Sequence, residues 1–300
     1  MDEPYEIDYT PIKVPLAEIP HAIINRIKRE RDAELAALHR TLPGVLSLMT
    51  HVVRVTWDSV RFLCANKVEQ PSRRLDFAVA VPPLSRTILD AVFNIVFIFD
   101  KPTLNARKYC AGGWREALEL QGQLTARYGA REEWKQYLAN HATAVAGFAE
   151  DADITLQETA NPRLVEYWPH PGRMLRKGVE FADPTRRAFL GFLNTWFYGH
   201  LSGDSHLSLM GLARRAGHFV EFESEEQDNE RRAAISLQHS QIVFNSMTLY
   251  VAYLSELAAQ LRLEHECVRL RQVWTHLHKW PEIQELFEER YDSWLSRGAG

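Results

Sequence analysis

The sequence predicts an all-α protein, a multi-helix bundle with an extended N-terminal arm and one long internal loop. Apolar residues recur at spacings of three and four through most of the chain, which is the period of an amphipathic helix. The alternation of apolar and polar residues that is typical of a strand is confined to His218–Glu223. An apolar share of 46% and a charged share of 25% exclude the disordered and collagen-like classes.

The first element is the predicted arm. Residues 1–20 carry four prolines among alternating polar and apolar residues, which predicts an extended arm packed on the body or on a partner subunit. Helical periods begin at His21, and we treat residues 21–300 as a single helical domain. A first amphipathic helix is expected to end near Pro43, and a second to follow it to about Asn66.

Two adjacent prolines, Pro82–Pro83, divide the next helical stretch. Each ring clashes with the preceding turn and removes a backbone donor, so the helix must restart, and it is predicted to run over Leu84–Phe99. A fourth helix extends to about Tyr128, with Gly112–Gly113 as a candidate kink, and a fifth covers Arg131–Glu150.

Residues 152–183 are rich in proline and glycine and form the longest irregular connection. Connections of this length in compact domains are often functional or mobile. Asp183 is a predicted N-cap and Pro184 a predicted first residue of a helix that reaches about His200. The strongest helical pattern of the chain spans Asn229–Leu263.

Charge and cysteine content limit the classes of partner and site. A formal net charge of -4 gives no reason to expect broad binding to polyanions. The odd number of cysteines and the lack of a Cys-x-x-Cys pair indicate neither a disulfide framework nor a structural zinc site, and we expect no cofactor. The longest apolar stretch, Ile88–Phe99, is shorter than the roughly 20 residues of a membrane span. We therefore expect a soluble, cytoplasmic chain without membrane contact.

Three polar residues interrupt the apolar helix after Pro83. Arg86, Asp90 and Asn94 follow at intervals of four, so they share one narrow face. Burying them without partners would cost several kcal/mol. Two interpretations remain: an internal ion pair and amide that fix the position of the helix, or the lining of a polar pocket. We call these three residues the polar stripe.

A second polar group lies about a hundred residues later. Its members fall within nine positions: Tyr198, His200, Ser202, Asp204, Ser205 and His206. Histidine can act as an acid or base near neutral pH, and an aspartate can fix its tautomer. The spacing matches no metal motif, and no Gly-x-Ser-x-Gly element indicates a serine hydrolase. The structural alternative is that these side chains cap helices and bond within the core.

Together the two segments resemble a bacterial all-helical family of unknown function that is similar to the HEPN superfamily. The motifs are Arg-x-x-x-acid at Arg86 and Asp90, and Tyr…Ser-x-x-x-His at Tyr198, Ser202 and His206. Asp90 stands where we would expect glutamate, which shortens the reach of the carboxylate. Many HEPN proteins are metal-independent RNA-cutting toxins or defence proteins that act as dimers.

The resemblance implies an RNA- or nucleotide-directed effector, endoribonuclease-like if it is an enzyme and active as a homo-oligomer. Its catalytic residues would be Arg86, Asp90 and His206. Its binding residues would be Asn94, Tyr198, His200, Ser202 and Asp204. The alternative function is a non-catalytic binding or oligomerisation module, with dimerisation along Asn229–Leu263. A solvent-connected cleft that holds both Arg86 and His206 would favour the first function, and a sealed stripe the second.

Overall fold

The computed structural model describes residues 9–65, 80–199, 201, 209, 212, 225–277, 281–292 and 295. These residues are helical and contain no strand, which confirms the predicted all-α bundle. The α-helices among them are α1 (Thr10–Arg29), α2 (Asp32–Leu38), α3 (Leu42–Ala65), α4 (Val81–Asp100), α5 (Pro102–Tyr128), α6 (Lys135–Asp151), α7 (Leu156–Ala160), α8 (Pro171–Met174), α9 (Pro184–Leu193), α10 (Glu225–Gln260), α11 (Glu264–Leu277) and α12 (Pro281–Leu286).

The predicted extended arm is wrong from residue 10 onward, where α1 begins. Pro11 lies in its first turn, and Pro15 and Pro20 lie inside it. The helix forms because its apolar residues share one face, which packs on α3 and α11 and outweighs the backbone bonds that proline removes. These buried residues are Ile12, Leu16, Ile19, Ile23 and Ile27. The chain then breaks between α1 and α2, and α3 begins before Pro43.

The centre of the bundle is formed by α4 and α10, which pack on each other and on α3. Residues 246–258 of α10 are all buried, and several of the polar ones have partners inside. The hydroxyl of Tyr253 lies 3.0 Å from Thr50 Oγ1, and the ring of Tyr250 stacks on Trp57 at 5.3 Å. This part of the predicted dimerisation helix is therefore covered within one chain and is not free for a second copy.

Two helices are long and apolar enough to cross a membrane by length and composition alone. They are Val81–Asp100 and Ser240–Gln260. In the bundle, 67% and 78% of their apolar windows are buried. Core helices of globular proteins have the same character, so these two are weak evidence for a membrane span.

The region 152–183 is largely irregular, as predicted, but it contains α7, α8 and a 3₁₀ turn. Its end is tied to the core because Asp100, the last residue of α4, accepts backbone hydrogen bonds from Ala182 at 2.9 Å and Asp183 at 3.1 Å. Asp183 is the N-cap of α9, as predicted, and accepts from the backbone of Thr185 at 2.9 Å.

The same region lies against α5, which continues through Gly112–Gly113 without a break. A Cβ atom at Gly112 would stand 2.6 Å from the backbone nitrogen of Trp168. Glycine is required at this position because the two backbones approach more closely than any side chain allows.

Candidate functional site

The polar stripe interrupts the buried surface of α4. From Ile88 to Asp100, every residue except Asp90 and Asn94 is buried. Arg86, one turn before Asp90, is also only partly buried. The apolar faces pack on α3 and α10, so the stripe is left to face the irregular region and the end of α9.

Arg86 holds the first part of the site together. Its Nε donates to Asp90 Oδ1 at 2.9 Å, and its guanidinium lies 3.5 Å above the centre of the Tyr198 ring. Tyr198 is placed there by a π-helical turn, Asn194–Tyr198, and its ring also packs on Phe93. The stacking is a cation–π contact at short range. The first residue of the predicted histidine segment therefore does meet the stripe.

One donor of Arg86 is left over. Its Nη1 atom is buried and has no hydrogen-bond partner among the residues that the structure describes. An unsatisfied buried donor costs about 1 to 3 kcal/mol, and more when the group is charged. The stripe is thus open to solvent at Asp90, which is 39% exposed, and is not fully satisfied by the described part of the chain.

Asn94 has a hydrogen-bond partner within the chain. Its Oδ1 accepts a hydrogen bond of 2.8 Å from Trp168 Nε1. The Trp168 ring packs edge-on against Phe97 and Tyr109, at 5.4 and 5.0 Å between ring centres. Asn94 therefore anchors the irregular region to α4, and Trp168 forms one wall beside the stripe.

The electrostatics of the site favour negative charge. Burial raises the pKa of Asp90, against the hydrogen bond and charge of Arg86. Desolvation lowers the pKa of His170, and the charges of Arg173, Arg176 and Arg86 lower it further, while Asp90 opposes them. The charges of three guanidinium groups therefore act on His170, and that of Arg86 acts on Asp90 as well. An anionic group of a ligand would complement this set.

Arg115 of α5 provides an internal comparison for Arg86. It also pairs along its helix, with Nε 3.4 Å from Glu119 Oε1, and its guanidinium also lies over a tyrosine, 3.8 Å from the centre of Tyr167. Its Nη1, however, donates to the carbonyl of Val165. Helical pairing and stacking therefore do not by themselves leave a guanidinium nitrogen without an acceptor.

A second polar cluster joins the turn between α2 and α3 to α5 and to the end of α6. His39 Nε2 lies 3.4 Å from Asp153 Oδ2, and His39 Nδ1 lies 2.9 Å from Thr41 Oγ1 and 3.8 Å from Cys110 Sγ. Burial raises the pKa of the Cys110 thiol and lowers the pKa of His39. A nucleophilic cysteine needs the thiolate and an open approach. Cys110 is 4% exposed, so we assign this cluster to structure.

The structure brings together four of the predicted site residues: Arg86, Asp90, Asn94 and Tyr198. The other four, His200, Ser202, Asp204 and His206, lie outside the described residues, so the pairing of Arg86 with His206 stays a prediction. The sequence analysis missed Trp168 and His170. The only signal was the run Trp-Pro-His-Pro at 168–171, an aromatic residue and a histidine held by prolines within the irregular region.

Within the described ranges, no group of three His, Cys, Asp or Glu side chains is arranged to hold a metal ion. No protein-family model, curated protein or solved structure matches this chain. The HEPN resemblance therefore depends on the two sequence motifs alone.

Proposed function

We propose that the polar stripe binds a phosphate group of a nucleotide or an RNA. The observation that carries the proposal is the buried Nη1 of Arg86, which lacks an acceptor among the described residues. A phosphate oxygen is an acceptor whose negative charge suits a guanidinium. Arg173 and Arg176, whose charges lower the pKa of the neighbouring His170, add positive potential on this side of the site.

Asp90 and Tyr198 would prepare Arg86 for this ligand. The bond from Nε to Asp90 and the ring beneath the guanidinium fix the direction in which Nη1 points. Less conformational entropy is then lost when the ligand binds. Asp90 of the Arg-x-x-x-acid motif and Tyr198 of the Tyr motif would thus both serve to position Arg86.

The catalytic form of the proposal is cleavage of RNA, and it derives from the HEPN resemblance. His206 would take the proton of a ribose 2′-hydroxyl, whose oxygen attacks the adjacent phosphorus while the 5′-oxygen of the next nucleotide leaves. Arg86 would stabilise the charge that develops on the phosphate oxygens. We place such an activity in the cytoplasm of a bacterium, in a toxin-like or defence role.

The second candidate function is a binding module without catalysis. The bond between Asn94 and Trp168 favours it, because one of the three stripe residues already has a structural partner. In this case the phosphate site would recognise a nucleotide and leave it unchanged.

A binding experiment tests the proposal shared by both functions. Inorganic phosphate, a nucleoside 5′-monophosphate and a labelled single-stranded RNA are titrated into the protein and followed by calorimetry or fluorescence anisotropy. Arg86→Met should weaken binding by about tenfold or more, since a hydrogen bond to a charged group is lost. If the wild-type protein binds none of the three, the proposal is wrong.

Arg54→Met is the matched control variant. Arg54 of α3 is also paired at i,i+4, with Nη1 2.9 Å from Asp58 Oδ2, is similarly buried, and likewise has one buried guanidinium nitrogen, Nε, without a partner among the described residues, but it is not part of the stripe. It should bind like the wild type. A cleavage assay with His206→Ala then separates the two functions: loss of RNA cleavage supports catalysis, and unchanged cleavage removes His206 from the mechanism.

A further inference from the structure

Arg187 of α9 anchors the turns that follow α8. Its guanidinium donates to three backbone carbonyls, those of Val179, Leu175 and Arg176, the last two at 3.1 and 3.4 Å. A helix of one turn, such as α8, cannot satisfy the carbonyls at its C-terminal end, so these need donors from elsewhere. A planar guanidinium with five N–H groups can serve several carbonyls at once.

The anchored carbonyls belong to the segment that carries the positive side of the proposed phosphate site. Three successive turns connect its residues, each closed by a backbone hydrogen bond: His170 with Arg173, Arg173 with Arg176, and Arg176 with Val179, at 2.8, 3.2 and 3.2 Å. Arg173 and Arg176 are exposed, while Met174 between them is fully buried in the core. The position of the two arginines therefore depends on how the backbone of this segment is held.

Arg187 lies where a cation is unfavourable for α9 itself. It is the fourth residue of the helix, close to the N-terminal end, where the free backbone N–H groups already create positive potential. Its neighbour Arg186 lies there too and bonds the core, through the carbonyl of Phe99 and the side chain of Gln260. All three hydrogen bonds of Arg187 to described residues go instead to the segment 175–179. What Arg187 stabilises is therefore this segment.

We propose that Arg187 is a positioning residue of the phosphate site, which holds Arg173 and Arg176 in place through the backbone of their turns. The inference rests on the proposed function, because the two exposed arginines matter only where an anion binds. The helix of Arg187 continues into the π-helical turn that sets Tyr198 against Arg86. One helical element thus connects the two sides of the site.

The pKa of His170 reports the position of the two arginines without any ligand. Burial and the charges of Arg173 and Arg176 lower this pKa, whereas the charge of Arg187 is not among those that shift it. Arg187→Met keeps the aliphatic stem and removes the donors. We expect it to raise the pKa of His170 toward its ordinary value, as followed by NMR titration of the imidazole in the folded protein. An unchanged pKa overturns the proposal.

Arg107→Met is the matched control variant. Arg107 also donates to a backbone carbonyl of the irregular region, that of Asp153 at 3.4 Å, but at the beginning of the region, and it pairs with Glu158 at 2.7 Å. This variant should leave the pKa of His170 unchanged. An equal rise in both variants would show a general loosening of the region and overturns the proposal. If Arg187→Met does not fold, Arg187→Lys replaces it, with a smaller rise expected because an ammonium group reaches fewer carbonyls.

Binding of the labelled single-stranded RNA then connects the anchor with the site. Arg173→Met should weaken binding about threefold in the wild-type background, and hardly at all in an Arg187→Met background, because Arg173 is then no longer held beside the ligand. Arg86→Met should weaken binding to the same extent in both backgrounds. A wild type that binds no RNA contradicts the proposed function, and with it this role of Arg187. Additive effects of Arg173→Met and Arg187→Met in a protein that binds RNA contradict the role of Arg187 alone.

Discussion

Two arginine–carboxylate pairs in this bundle show how differently the same chemistry can be used. Arg290 gives Nε and Nη2 to the two oxygens of Glu256, at 2.8 and 3.0 Å, and both side chains are buried, at 6% and 0% exposure. Arg86 gives only Nε to one oxygen of Asp90, at 2.9 Å, and the two side chains are 14% and 39% exposed.

The difference indicates which pair serves stability and which is open to a ligand. A bidentate pair that is closed from water satisfies both ions internally, and its loss leaves a buried charge. A partly exposed pair with a single bond contributes less to folding. It leaves donors for groups that come from outside. Geometry of pairing and exposure, more than residue type, separates the two roles.

The largest expected effect is at the closed pair. Glu256→Gln leaves the Arg290 charge without its carboxylate in the core, so we expect the free energy of unfolding to fall by about 3 to 5 kcal/mol. Urea denaturation followed by circular dichroism measures it. A loss below about 1 kcal/mol would mean that this pair is no more structural than an exposed one.

Gly112→Ala tests the wall beside the open pair. The added methyl group meets the Trp168 backbone at 2.6 Å, so we expect a loss of about 1 to 3 kcal/mol together with a change in tryptophan fluorescence. Gly122→Ala, on the same helix with no atom within 4 Å of its Cβ, is the control and should stabilise by up to about 1 kcal/mol. Equal effects at both glycines would contradict the close approach.

Arg86→Met should change the unfolding free energy by no more than about 0.5 kcal/mol. The loss of a partly exposed ion pair and of the stacking on Tyr198 is offset because the orphaned, buried Nη1 donor disappears with them. Urea denaturation measures this change in parallel with that of the Glu256→Gln variant. A loss as large as that of the closed pair would show that Arg86 is structural, whatever it binds.

The smallest effect concerns pH. Burial raises the pKa of Asp90 above its ordinary value, so the folded chain binds this proton more tightly than the unfolded chain does. Its contribution to stability is therefore present at low pH and is lost as the pH rises through the raised pKa. The Asp90→Asn variant has no carboxyl group to titrate here, so it does not lose this stability as the pH rises. The stability of the variant relative to the wild type should increase as the pH rises above about 4 and then level off. A difference in unfolding free energy that does not change with pH would contradict the raised pKa of Asp90.

The helical class and the Arg86–Asp90 pair could be predicted because both depend on spacing along one helix. The helix over residues 10–20 could not, since prolines oppose it locally and only packing on α3 and α11 makes it favourable. The sequence also did not show that residues 246–258, within the strongest helical pattern, are covered by their own chain. Periodicity shows that a face is apolar but not whether its own chain covers it.

The site wall was missed for a related reason. Trp168 and His170 lie in an irregular region, which has no periodicity from which a direction can be derived. Their position depends on Gly112 and Asn94, residues 56 and 74 positions earlier in the sequence. The two motifs predicted that Tyr198 and Arg86 belong to one site, but they did not predict that the guanidinium stacks on the ring.

The two anchors of the irregular region on α4 have a consequence for how this part of the gene can vary. Trp168 is fixed at Asn94 and Ala182 at Asp100, so both ends of the intervening stretch attach to one rod about 9 Å apart. For a flexible loop with fixed ends, doubling the length costs only about 0.6 kcal/mol. Insertions near the exposed Gly178 would therefore lengthen a loop on the surface, and Trp168 would keep its hydrogen bond to Asn94.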